Sequence, residues 1–105
     1  LPKDTCLGLV SLSSGIIRIA EVLSYSLRGD DILVMTAQTE DTQKLSAVVR
    51  SAQTIVALDT ASYPAIKEAL LAARHDIIRP PEIIRCENYI GEKSIGRLKR
   101  ELGLD

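Results

Sequence analysis

The sequence predicts an α/β domain: an open, mostly parallel sheet of four or five strands with helices on both faces. This three-layer arrangement is Rossmann-like or flavodoxin-like, or half of a periplasmic-binding-protein-like fold. Three observations predict it. Short apolar runs recur along the chain, namely CLGLVSL, ILVMT and TIVAL. None of them alternates apolar with polar residues, so burial on both faces is expected, as in a parallel sheet. Between them lie stretches of about ten to fifteen residues with one apolar helical face, the spacing of βαβ crossovers, whose right-handedness fixes the hand of each unit.

The chain's 105 residues correspond to one domain with a modest core. Apolar residues make up 46% and charged residues 26%, ordinary for a globular protein in water. There are three Tyr and no Phe or Trp, so Ile, Leu, Val and Ala must build the core. The same shortage argues against binding single-stranded nucleic acid, which needs aromatic stacking platforms. Thirteen basic residues against fourteen acidic ones give a net charge of −1 and no field favouring DNA, RNA or anionic lipid. No apolar run reaches the roughly 18–20 residues of a membrane span, and no signal peptide is recognisable. A cytoplasmic protein without a membrane partner is expected. Cys6 and Cys86 match no metal or CxxC spacing and are expected to be reduced, buried thiols. No metal site and no cofactor is expected.

Residues 1–5 are polar and are expected to be the end of a linker, leaving residues 6–105 as a single domain. Residues 6–12 form the first strand. Ser13 or Ser14 can cap the next helix, in which Ile16, Ala20, Leu23 and Leu27 share a face, with Arg28 in the last turn and Gly29 beyond it. Residues 32–36 form a second buried strand. Thr39 or Asp41 can cap a helix carrying Leu45, Val48, Val49 and Ala52 on one face. Residues 54–58 form the third strand. Ser62 is the expected N-cap of a helix with Pro64 in its first turn and Ala65, Ile66, Ala69, Leu70 and Ala73 inward. Residues 76–79, DIIR, are a candidate short fourth strand stopped by Pro80-Pro81. Residues 82–89 alternate, with Ile84, Cys86 and Asn88 opposed to Ile83, Arg85 and Glu87, which suits an edge strand. Gly91 can cap a last helix over 92–102, with Ile90 and Ile95 at the hydrophobic-staple positions.

In such sheets ligands gather beyond the carboxyl ends of the strands. Those ends supply the candidate ligand-binding residues: Ser11, Ser13, Ser14 and Gly15 after the first strand, Thr36 and Gln38 after the second, and Asp59 and Thr60 after the third. The serine-rich turn before a helix can hold an anion. It is neither GxxxxGK[ST] nor GxGxxG, and a plain helix cap is its default explanation. A response-regulator receiver would need an acidic pair where Ser11, Ser13 and Ser14 stand. A phosphotransferase IIB domain needs a nucleophilic Cys at the end of strand one, but Cys6 opens that strand, roughly 17 Å before the loop. The single His, His75, follows the third helix and is expected at the opposite end of the sheet from the loop serines. No catalytic residue is assigned, and the chain is not expected to be an enzyme.

The segments GLVSLSSGIIRIAEVL, SAQTIVALDTASYPAIKEAL and RPPEIIRCENYIGEKSIGRLKRELGL resemble the carboxyl-terminal domain of a subset of bacterial GntR-type transcription regulators. In those proteins a winged helix-turn-helix precedes a small Rossmann-like regulatory domain. The resemblance implies a ligand-sensing or dimerisation module, with DNA bound only through an N-terminal domain absent from this chain. The chain departs from both the all-helical and the chorismate-lyase-like effector domains, so no ligand residues carry over. A homodimer is expected, joined by an exposed apolar helix or by the 82–89 edge strand, with a small polar or anionic effector. The alternative is a IIB-like phosphocarrier or another small-anion-binding α/β domain.

Overall fold

The computed structural model describes residues 5–12, 15 and 32–85. Among them, four parallel strands form one sheet: β1 (Cys6–Ser11), β2 (Leu33–Gln38), β3 (Thr54–Ala57) and β4 (Glu82–Arg85). Helix α1 (Thr42–Ser51) joins β2 to β3, and α2 (Ser62–Ala72) joins β3 to β4. The strand order is β2-β1-β3-β4. The predicted open parallel α/β sheet is therefore the fold that forms. The predicted helices over 16–27 and 92–102 lie outside the described residues, as do Ser13, Ser14, Cys86 and the rest of the 82–89 segment beyond Arg85.

Helix α1 starts where its sequence supplies a cap. The Asp41 carboxylate accepts the Lys44 N–H at 3.1 Å, so Asp41 and not Thr39 takes the N-cap position. Leu45, Val48 and Val49 are its buried face. In α2, Pro64 occupies the first turn, where a missing N–H costs nothing. Ile66 is the buried residue facing the sheet, with Ala65, Ala69 and Leu70 partly covered.

Strand alternation divides the core. Val10, Ala37, Ile55 and Ala57 meet Leu45, Val48 and Val49 of α1 and Ile66 of α2 in one cluster, so both helices cover the same face of the sheet. Leu7, Leu9 and Val56 project from the opposite face and are fully buried as well. At the amino ends of the strands, Gln53 acts as a clamp. Its carbonyl accepts the Glu82 N–H at 3.0 Å, its N–H donates to the Cys6 carbonyl at 2.9 Å, and its side-chain oxygen accepts the Cys6 N–H. Thr5 is buried, and its carbonyl accepts the Leu33 N–H at 3.1 Å.

Four expectations are corrected. The second strand is not buried on both faces. Among the described residues it is an edge strand, only Ala37 within it is buried, and Leu33 is 64% exposed. It also runs on to Gln38, because the ladder with β1 continues to the Ser11–Gln38 pair. Residues 76–79 are not a strand. They lie in the turn and bend after α2, and Ile78 is 99% exposed. A proline has no N–H to give a ladder and restricts the residue before it, so pairing waits until Glu82, past Pro80-Pro81. Ser62 is not the N-cap of α2. That position belongs to Ala61, and Ser62 is the first helical residue.

The helix–sheet contact is closest at Gly8. A Cβ built there would stand 2.5 Å from Val48 Cγ1 and 3.3 Å from the Ala52 methyl. Val48 is β-branched and held to one rotamer in α1, so it cannot swing aside. We expect Gly8→Ala to lower the unfolding free energy by about 1–3 kcal/mol, and Gly8→Val to lower it further, as read from urea titrations followed by circular dichroism. An unchanged midpoint for Gly8→Val would contradict this packing.

Candidate functional site

β1 and β3 are neighbours, but the strands that follow them lie on opposite sides: β2 beyond β1, and β4 beyond β3. The chain therefore diverges between their carboxyl ends, the usual ligand position in open α/β sheets. The residues at this point are Ser11, the last of β1, and Leu12 beyond it, and Leu58 and Asp59 after β3. The Leu58 N–H donates to the Val10 carbonyl at 3.0 Å and prolongs the ladder to the rim.

Asp59 joins the two sides. Its Oδ2 accepts the Ser11 hydroxyl at 2.9 Å and the Leu12 N–H at 2.8 Å. Its Oδ1 accepts the Ser62 N–H at 3.0 Å and the Ser62 hydroxyl at 2.6 Å. One carboxylate thus ties the end of β1 to the start of α2. Partial burial alone would push its pKa up, but the hydrogen bonds from Ser62, Leu12 and Ser11 favour the ionised form and hold it below the ordinary value.

The predicted ligand residues fall into three groups. Ser11, Gln38, Asp59 and Thr60 meet at the rim: Ser11 is buried against Asp59, Gln38 stands opposite Ser11 and is exposed, and Thr60 is exposed in the turn after Asp59. Thr36 does not reach the rim. It pairs with Leu9 inside β2, two residues before the strand ends. Gly15 is an exposed turn residue, and Ser13 and Ser14 lie outside the described residues.

Other contributors were not singled out for the site. Ser62 supplies two of the four donors to Asp59, and the Asp-x-x-Ser spacing ahead of a helix was the available signal. Tyr63, in the first turn of α2, carries the Arg85 guanidinium 4.4 Å from its ring centre and the Lys67 ammonium 5.6 Å from it. The Arg85 contact fastens the end of β4 to α2, and the Lys67 contact lies within α2. Nothing in one-dimensional spacing links Tyr63 to Arg85. A separate cleft of about 280 Å³ lies between α1 and α2, lined by Thr39, Thr42, Ser46, Arg50 and Glu68 among others; none of the predicted ligand residues lines it.

The arrangement has limited chemical reach. A carboxylate holding four donors is a stabilised anion and a poor base or nucleophile. Cys6 is a free thiol at the amino end of β1, and its burial pushes its pKa up, away from the reactive thiolate. His75 sits in the exposed turn after α2, roughly one helix length of about 16 Å from the Asp59 end. Among the described residues no cluster of His, Cys, Asp and Glu has the geometry to hold a metal ion, and no helix is long and apolar enough to cross a membrane.

Because Asp59 is more acidic folded than unfolded, its contribution is fully present above the ordinary carboxylate pKa of about 4 and is lost as pH falls through the folded value. Asp59→Asn is expected to cost about 2 kcal/mol at pH 7, on the scale of hydrogen bonds to a charged group. The gap between wild type and Asp59→Asn should close below about pH 4, as measured by denaturant melts across pH. A gap independent of pH would mean that the charge of Asp59 does not matter.

No curated protein and no solved structure matches the chain. Its sequence does match a family, described as "Cyanobacterial PlmA-type GntR regulator, C-terminal domain", over residues 1–87. The match takes in β1 to β4, the Asp59 junction and the Tyr63–Arg85 contact. By that coverage the chain belongs to the PlmA-type GntR regulators and represents their C-terminal domain.

Proposed function

We propose that this chain is the regulatory module of a cytoplasmic transcription regulator. It binds a small polar or anionic effector at the carboxyl rim of its sheet and pairs with a second copy, while another domain holds the DNA. It is not an enzyme. Family membership supports the regulatory class. The rim carries the effector part of the reading: the Asp59 hydrogen bonds hold the two strand ends in place, while Gln38 and Thr60 remain exposed on the rim. Ser13, Ser14 and Gly15 complete the effector contacts. The phosphocarrier alternative is not favoured, because the Cys6 thiol opens β1 instead of closing it.

A thermal-shift screen of small polar and anionic metabolites tests this reading, since a compound that binds only the folded state raises its stability. At least one compound is expected to raise Tm by several degrees. Gln38→Ala and Thr60→Ala should leave the ligand-free Tm nearly unchanged and reduce that shift. If no compound stabilises the chain, or if both variants respond like wild type, the rim is not an effector site.

A further inference from the structure

The two edges of the sheet differ in kind. β4 carries exposed Glu82 and Arg85 at its ends and follows Pro80-Pro81, which are devices that block pairing with another sheet. β2, LVMTAQ, has no charge, proline, glycine or bulge along its six residues, and it exposes Leu33. Such an edge is a template for another strand.

The hydrogen-bonding phase of β2 identifies the groups on offer. The Leu33 N–H donates to Thr5 and the Thr39 N–H to Ser11, so the odd-numbered residues turn their main chain toward β1. By the alternation of a parallel ladder, Val34, Thr36 and Gln38 direct their N–H and C=O groups outward. Among the described residues nothing pairs with them.

We propose that the outer edge of β2 is a homodimer interface, in which two copies pair antiparallel about a two-fold axis at Thr36. This rests on the regulatory reading above and names the surface that would serve it. A two-fold strand pair is isologous, so the axis must pass through a residue facing its own mate. Outward-facing groups must also meet outward-facing groups, and an axis at Thr36 pairs all three outward residues, where an axis at Met35 or Ala37 pairs only two of them within the strand. Thr36 then faces the partner's Thr36, and Val34 faces the partner's Gln38, giving about six main-chain hydrogen bonds. On the other face Met35 lies beside the partner's Ala37. No charge is apposed to its like along the seam, a condition that any self-pairing edge must meet. The Thr–Thr pair on the axis is itself a favourable cross-strand pair. The product is a continuous sheet through both copies.

Sedimentation equilibrium of the full chain tests this. Wild type is expected to be a dimer. Val34→Lys places a charge on the seam. Thr36→Pro removes an outward N–H without touching the ladder to β1, a substitution that edge strands tolerate. Both are expected to weaken dimerisation at least tenfold while the far-ultraviolet circular dichroism stays that of wild type. Cross-linking gives an independent reading in a Cys6→Ser, Cys86→Ser background. Thr36→Cys should form an intersubunit disulfide under mild oxidation, since hydrogen-bonded antiparallel partners stand about 5.5 Å apart at Cα. Gln38→Cys should not, because its mate lies four residues away along the seam. Folded Val34→Lys and Thr36→Pro chains that remain dimeric, or a Thr36→Cys chain that does not cross-link, overturn the β2 interface and leave the regulatory reading standing. A wild-type chain that stays monomeric at high concentration removes both the interface and the dimeric part of that reading.

Discussion

One carboxylate holds the carboxyl end of this sheet together. A parallel sheet whose chain leaves in opposite directions at neighbouring strands has no main-chain hydrogen bonds beyond the last rung to keep the two exits in place. Here Asp59 does so, with Ser11 and Leu12 on one oxygen and Ser62 on the other. The same contacts satisfy the first N–H group of α2, for which Ala61 supplies no side-chain acceptor. The charge pinned at the rim also determines what the rim can do. Its donors are already committed to Asp59, so Asp59 is a brace between the two strand exits.

The amino end of the sheet is organised by a different residue with the same logic. Gln53 uses its N–H, its carbonyl and its side-chain oxygen to bind β1 on one side and β4 on the other. Between these two clamps the packing is set by Gly8, where α1 rests so close to β1 that no side chain fits. The surface ion pair of Arg50 with Asp76, at 3.2 Å and largely exposed on both sides, adds little by comparison. The fold is thus carried by buried apolar contact in its middle and by one polar clamp at each end.

Much of this was legible in the sequence, and the misreadings have physical causes. CLGLVS and TIVA read as central strands and are, because an apolar run with no alternation needs cover on two faces. The same logic failed for ILVMT. Burial depends on where a strand falls in the sheet order, and strand order is not encoded within the strand. The Asp41 cap was readable because it is local. The Asp59 network was only half readable: the contact to Ser62 spans three residues, but the contact to Ser11 spans forty-eight and exists only once β1 and β3 are side by side. DIIR at 76–79 misled because two adjacent apolar residues carry no periodicity, and the prolines that follow stop any ladder. Thr36 was placed at the rim because the strand was ended two residues too early; the pairing of Ser11 with Gln38 moves it into the ladder.

That displacement changes what β2 means for the molecule. Its last residue, Gln38, stands opposite Ser11 at the carboxyl end of the sheet. Its main chain at Val34, Thr36 and Gln38 faces outward, away from β1. A single six-residue strand therefore has the proposed effector rim at one end and the proposed subunit seam along its outer side. Coupling between two sites needs a physical element that both of them bias, and β2 meets that condition without any long path. A ligand that reoriented Gln38 at the rim would act on a residue whose backbone lies in the seam. Linkage then requires the reciprocal effect: pairing of two β2 strands would alter effector affinity by the same factor by which the effector alters pairing.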